Sequence, residues 1–194
     1  HMARPDDMQP ARSSATRFTY EDYLNFPQDG RRHELIDGEH VVTPSPVRRH
    51  QELVVRLTAA MEAYLRDRPI GHLFVAPFDV ILSNLDVVEP DLLYVSNERS
   101  EILREWVYGA PDLVVEILSP GTRKVDEITK RRLYDRVGVR EYWIVDPELD
   151  AVKIYHRADD GTFPRVAELT REAHGTITTL LLPEFSLALD ELFR

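Results

Sequence analysis

The chain has 194 residues, 43% hydrophobic and 30% charged, with 8 Gly and 13 Pro; these proportions fit one soluble globular domain and exclude collagen-like, low-complexity and disulfide-knot classes. Cysteine is absent, which removes disulfides, thiolate metal sites and cysteine nucleophiles together and makes the cytoplasm the expected compartment. Acidic residues (34) outnumber basic ones (24) for a net charge of −10, a field that opposes tight constitutive binding of DNA or RNA while leaving transient contact open.

His1-Met2 reads as a cloning scar and residues 3–16, polar with Pro5 and Pro10, as a disordered arm, so residues 17–194 form the expected domain. Thr19 and Asp22 open a short helix in capping-box fashion, ended by Pro27 and Gly30. His33–Ile36 and Glu39–Val42 flank Asp37-Gly38, a strong hairpin signal. Leu53, Val54, Leu57, Met61, Tyr64 and Leu65 recur at helical spacing, predicting a long helix over about 49–67. Strand-like runs follow at Leu73–Val75, Phe78–Leu82 and Leu92–Val95, and an amphipathic stretch over 98–107 is expected to cross to the next strand. Leu113–Leu118 is a nearly continuous apolar run of strand length, the pattern of a central strand buried on both faces. Asp126–Val137 is a second predicted helix with Gly138 as its cap, and Glu141–Val145 and Val152–Tyr155 are two further strands. Ile177–Leu182 and Phe185–Phe193 supply apolar cover. No apolar run reaches the roughly 20 residues that span a bilayer. The order predicts an α/β architecture, a sheet with helices packed on it.

Two residues break the hydrophobic pattern where chemistry would require it. Glu116 alternates with Val114 and Leu118 in a strand without a solvent face, so its carboxylate is expected to be buried and to need a cation, a metal or a shifted pKa. Lys130, Leu133, Tyr134 and Val137 fall at i, i+3, i+4 and i+7, which puts a lysine on the apolar stripe of the following helix. A structural ion pair between them is the alternative to a catalytic role. The second acid is Asp91 or Asp112, each preceded by proline. Asp112 lies on the face of Glu116 but about 13 Å along the strand, too far to share a cation; Asp91 can lie beside Glu116 if the Leu92–Val95 strand is its neighbour. Two carboxylates of this kind suit Mg²⁺ or Mn²⁺. Glu34, in the hairpin, is a further acid whose alternative is a surface pair with Arg31 or Arg32. The histidines show no metal-ligand spacing, and His50 reads as a capping or packing residue. Trp143 and Tyr142 read as core aromatics. From Gly121 to Arg140 seven basic residues stand against three acids; Arg123, Lys124, Arg131 and Arg132 are the expected nucleic-acid contacts.

The runs Arg32–Glu39, Ser45-Pro46 with His50, Pro90-Asp91-Leu92, Pro111–Pro120, Lys130, Tyr134, Gly138-Val139 and Glu141–Pro147 are similar to the Uma-type restriction endonucleases, a branch of the PD-(D/E)xK nuclease superfamily. The resemblance runs from about Phe18 to Phe193. It implies a restriction-endonuclease-like core, a central mixed sheet flanked by helices with an N-terminal helix and hairpin. It also implies a metal-dependent endonuclease acting on DNA and, with the need to cut two strands, a homodimer; the lack of a bilayer-spanning apolar run leaves no membrane partner expected. Asp91 matches the PD acid, Glu116 the second acid, and Glu34 the early acid that completes the metal site. The lysine expected two residues after Glu116 is absent, since Leu118 stands there; Lys130 is the relocated candidate. A non-catalytic scaffold on the same fold, with Glu116 and Lys130 as a structural pair, is the competing expectation.

Overall fold

A computed structural model describes residues 16–194. The expected arm over 1–16 lies outside the described residues, apart from Thr16. After α1 (Tyr20–Tyr23), Asp37 and Gly38 close the hairpin of β1 (Arg32–Ile36) and β2 (Glu39–Thr43) with φ of 49° and 76°, the left-handed pair that a two-residue hairpin turn demands. Next come α2 (Arg48–Asp67), β3 (Gly71–Val75), β4 (Val80–Ser83), β5 (Asp86–Val88) and β6 (Leu92–Ser96). A 3₁₀ turn at Asn97–Ile102 and β7 (Val107–Tyr108) replace the expected crossover, and β8 (Leu113–Ile117) follows. A π-helical turn at Val125–Lys130 runs into α3 (Arg131–Val137). The chain ends with β9 (Glu141–Asp146), β10 (Ala151–His156), β11 (Arg165–Thr170), β12 (Thr176–Ile177), β13 (Leu187–Ala188) and α4 (Leu189–Leu192).

The strands form a six-stranded mixed sheet ordered β11-β10-β9-β8-β6-β3 and a five-stranded sheet ordered β2-β1-β5-β4-β7. β12 and β13 pair separately. In the main sheet β8 is central, antiparallel to β6 and parallel to β9 across the α3 crossover. Its two faces explain its apolar run. Val115 and Ile117 pack under α2 and the C-terminal segment, with Leu53, Leu57, Met61, Phe185 and Leu192, as the tail's apolar pattern anticipated. Val114 and Leu118 face α3 and the smaller sheet, with Leu133, Tyr134, Ile36 and Val88. Of the strands not anticipated in the sequence, β5 is a three-residue piece and β11 a largely exposed strand at the main sheet's end, neither carrying a long apolar run, and β7, β12 and β13 are two-residue pieces.

The predicted helix over 126–137 is α-helical only from Arg131. In an α-helix the Asp126 carbonyl would accept the Lys130 N–H, but here it accepts the Tyr142 hydroxyl at 2.9 Å. A side chain inserted into the ladder in this way widens the turn.

Candidate active site

Strand alternation brings the acids together. Leu92 of β6 is opposite Val115 of β8, so Asp91 stands opposite Glu116, on the face shared by Leu93, Val114 and Leu118. Both are 2% exposed and both line a cavity of about 740 Å³. Asp91 Oδ2 accepts the Ile117 N–H at 2.6 Å, which ties the carboxylate to β8; Oδ1 takes Arg32 Nη2 at 2.9 Å and faces His50 Nε2 at 3.2 Å. Burial by itself would raise this carboxyl, yet His50, Arg32 and the Ile117 amide outweigh it and hold its pKa at about 2.

Lys130 enters from the π turn. Its Nζ lies 3.1 Å from Glu116 Oε1, 3.0 Å from Glu34 Oε1 and 3.8 Å from Asp126 Oδ1. Burial works against the ammonium, but Glu116, Glu34 and Asp126 prevail and raise its pKa, so Lys130 stays charged. One cation cannot neutralise three carboxylates. Glu116, desolvated first and crowded by Asp91, Asp126 and Glu34, is therefore pushed well above the usual carboxylate range despite Lys130. Asp126 is pushed up to about 6 by burial and the same neighbours. At the wall, Glu89 is raised to about 8 by desolvation and by its hydrogen bond with Asp79. Tyr134 Oη donates to Glu116 Oε1 at 2.9 Å, and Oε2 accepts no hydrogen bond from the described residues.

Period two in β1 directs Arg32, Glu34 and Ile36 to one face, toward the main sheet. Arg32 thus reaches Asp91, and Glu34, fully buried, accepts the Glu89 N–H at 2.8 Å besides meeting Lys130. Glu34 is not a surface partner of an arginine, since Arg31 pairs with Asp29. Nor does it border the cavity; its carboxylate stands behind the ammonium. Of the two expectations for His50, capping or packing, the capping one is not met. It sits inside α2, whose cap is Val47, and its ring holds Asp91 rather than the helix end. Asp112, fully buried, accepts the Ser96 N–H at 2.7 Å and lies 3.6 Å from both Arg99 and Arg140, away from the cavity. Asp112→Ala should therefore leave divalent-ion binding unchanged while costing about 1–3 kcal/mol of stability through the orphaned amide. Urea denaturation alongside a Mn²⁺ titration checks both halves.

Of the expected nucleic-acid contacts, none lines the cavity. Arg123 is held by Asp146 at 2.9 Å, and Arg131 lies over the Tyr155 ring. A run of basic residues on a helix fixes charge density but not direction. Tyr142 and Trp143 are fully buried, as expected of core aromatics. Asp126, Arg32 and the Asp79–Glu89 pair were not singled out in the sequence. Asp126 had a signal, being four residues before Lys130 on the same stripe, and so did Arg32, two before Glu34; Asp79 and Glu89 had none.

Among the described residues, no three His, Asp or Glu side chains are placed to close around one metal ion, and no helix is long and apolar enough to cross a membrane. The Uma2 family model, described as "Putative restriction endonuclease", matches residues 20–190. The uncharacterized protein slr1290 of Synechocystis sp. is 27% identical over 146 residues, which is 73% of this chain and 75% of that one. The crystal structure of "a putative nuclease belonging to DUF820" from Anabaena variabilis aligns with a TM-score of 0.76 at 18% identity, covering 91% of this chain and 97% of its own. That likeness is one of fold.

Proposed function

The chain belongs to the Uma2 family, and from that membership and the cavity floor we propose that it is a metal-dependent nuclease hydrolysing phosphodiester bonds of DNA. The observation that carries the reading is the juxtaposition of Asp91 and Glu116 across neighbouring strands at the floor of a cavity, with the Lys130 ammonium against Glu116.

The residues fit a divalent cation. Five carboxylates (Asp79, Glu89, Asp91, Glu116, Asp126) line the cavity against three cations (Arg31, Arg32, Lys130), an excess of hard oxygen donors. Asp91 and Glu116, whose Oε2 has no donor of its own, are the residues that would hold the ion; two carboxylates suffice for Mg²⁺ or Mn²⁺, which keep several waters. Bound there, the ion supplies Lewis acidity and a water of lowered pKa. Lys130 uses two of its three N–H donors on Glu34 and Glu116 and keeps the third for an oxygen of the substrate, where its charge would offset the charge gained in the transition state. Glu34 serves as a positioning residue for that ammonium rather than as a ligand. Arg32 and His50 do the same for Asp91.

Incubation with supercoiled plasmid tests the reading. Nicked circles should accumulate in Mg²⁺ or Mn²⁺ and not in chelator. Intact plasmid under every condition would favour the scaffold reading, which the enclosed Glu34–Lys130–Glu116 ion cluster supports as a structural element in its own right.

A further inference from the structure

The mouth of the cavity differs in chemistry from its floor. Tyr23, Phe26, Phe78 and Trp106 line it, together with Pro27 and Pro77. Trp106 sits in the tight turn between Leu103 and Val107 and is 43% exposed. Its ring lies 6.2 Å from Phe78, which is braced at 4.9 Å by Phe74. On the other side Phe26 stacks on His40 at 3.9 Å. These rings are supported from behind and open toward the cavity, the arrangement of a stacking platform.

The lining offers little to grip a polyanion. Arg31 is bound to Asp29 at 2.6 Å, Arg32 to Asp91 at 2.9 Å and Lys130 to Glu34 and Glu116. Among the described residues that line the cavity, every Lys and Arg has a carboxylate partner. Duplex binding draws its affinity from free cations that neutralise a row of phosphates. A duplex also carries its phosphates on a stiff convex surface, whereas Asp91 and Glu116, each 2% exposed, lie at the bottom of a concavity. A flexible strand with splayed bases can bring a phosphodiester to that floor, and every base has a face to stack.

We infer that the cavity selects unpaired DNA, a single-stranded or frayed stretch whose bases stack on Trp106 and Phe78 while the backbone descends to Asp91 and Glu116. This rests on the nuclease reading, but its test is independent of cleavage. Trp143, the other tryptophan, is fully buried, so the exposed Trp106 reports on the mouth. In chelator, a single-stranded oligonucleotide should quench the Trp106 emission and bind at least tenfold more tightly than the same sequence as a duplex, with a shallow salt dependence. Trp106→Ala and Phe78→Ala should each weaken single-strand binding, read by anisotropy of a labelled oligonucleotide, about tenfold. Trp106→Phe, which keeps a stacking ring, should retain most of it and guards against a folding artefact. Duplex binding equal to single-strand binding, or unchanged affinity in Trp106→Ala, would overturn the inference. Failure of stacking leaves the plasmid-nicking result standing, whereas a single-stranded oligonucleotide that stacks but is not cut in Mn²⁺ would strike the catalytic reading alone.

Discussion

Lys130→Met should lower plasmid cleavage in Mn²⁺ by at least about a hundredfold and, at neutral pH, cost the fold about 3–5 kcal/mol. The activity loss follows from removing a positive charge that faces the floor, where a preorganised donor acts in a medium poor in water. The stability loss is expected even though the methionine stem can pack as the lysine stem does, because the charge and not the stem is what the surrounding acids need. The ammonium is surrounded by Glu34, Glu116 and Asp126 at 3.0–3.8 Å, and each is nearly or fully buried. Deleting the cation leaves those carboxylates to repel one another or to take up protons. Adding Glu34→Gln to Lys130→Met should recover part of the stability and none of the cleavage, because it removes one stranded charge without replacing the cation. Urea denaturation and nicking assays on parent, single and double variants separate the two effects. Parental activity in a folded Lys130→Met protein would take the lysine out of the mechanism.

The paired substitution Asp91→Ala and Glu116→Ala should weaken Mn²⁺ binding, measured by calorimetry, at least about a hundredfold, since exposed acids elsewhere bind only through screened fields. Binding as tight as in the parent would mean that these acids do not hold the ion. Its pH dependence carries a sign that can be worked out. Asp126 is held up to about 6 by burial, and Glu116 is raised as well, so at pH 5 part of the floor's negative charge is masked by protons. Raising the pH removes them. Mn²⁺ affinity should therefore rise between pH 5 and 7.5, with protons released on binding. The stability of the metal-free protein runs the other way. Because the folded Asp126 pKa lies above its unfolded value, its contribution is present below about pH 4 and is lost as the pH rises through 6. Asp91, held at about 2, contributes above its unfolded value and loses that contribution only as the pH falls through 2. Melting temperatures with and without Mn²⁺ should accordingly diverge as the pH climbs from 5 to 7.5.

Local periodicity in the sequence was enough to determine that Glu116 turns inward from β8, that Lys130 turns inward from the next helix, and that Asp112 is too far along the strand to join them. A period of two or of 3.6 names the face a side chain takes, and burial then demands a partner. It does not name the neighbour. Asp91 meets Glu116 because β6 pairs with β8 in a register that sets Leu92 against Val115, and Arg32 meets Asp91 because a second sheet closes over the first. Neither fact is written in any one segment. Asp126 is a mixed case: its place four residues before Lys130 set it on the inward stripe, but the π turn it sits in forms where the Tyr142 hydroxyl, arriving from another strand, takes the carbonyl an α-helix would have used. The basic run after Gly121 shows the same limit, since charge density is local while direction is not, and none of its four candidate contacts lines the cavity. Arg123 turns to Asp146, and the cavity instead presents aromatic rings contributed by the N-terminal helix region and by the segments around β4 and β7. Tertiary structure decided these points because long-range strand register and sheet packing, unlike periodicity, depend on residues far apart in the chain.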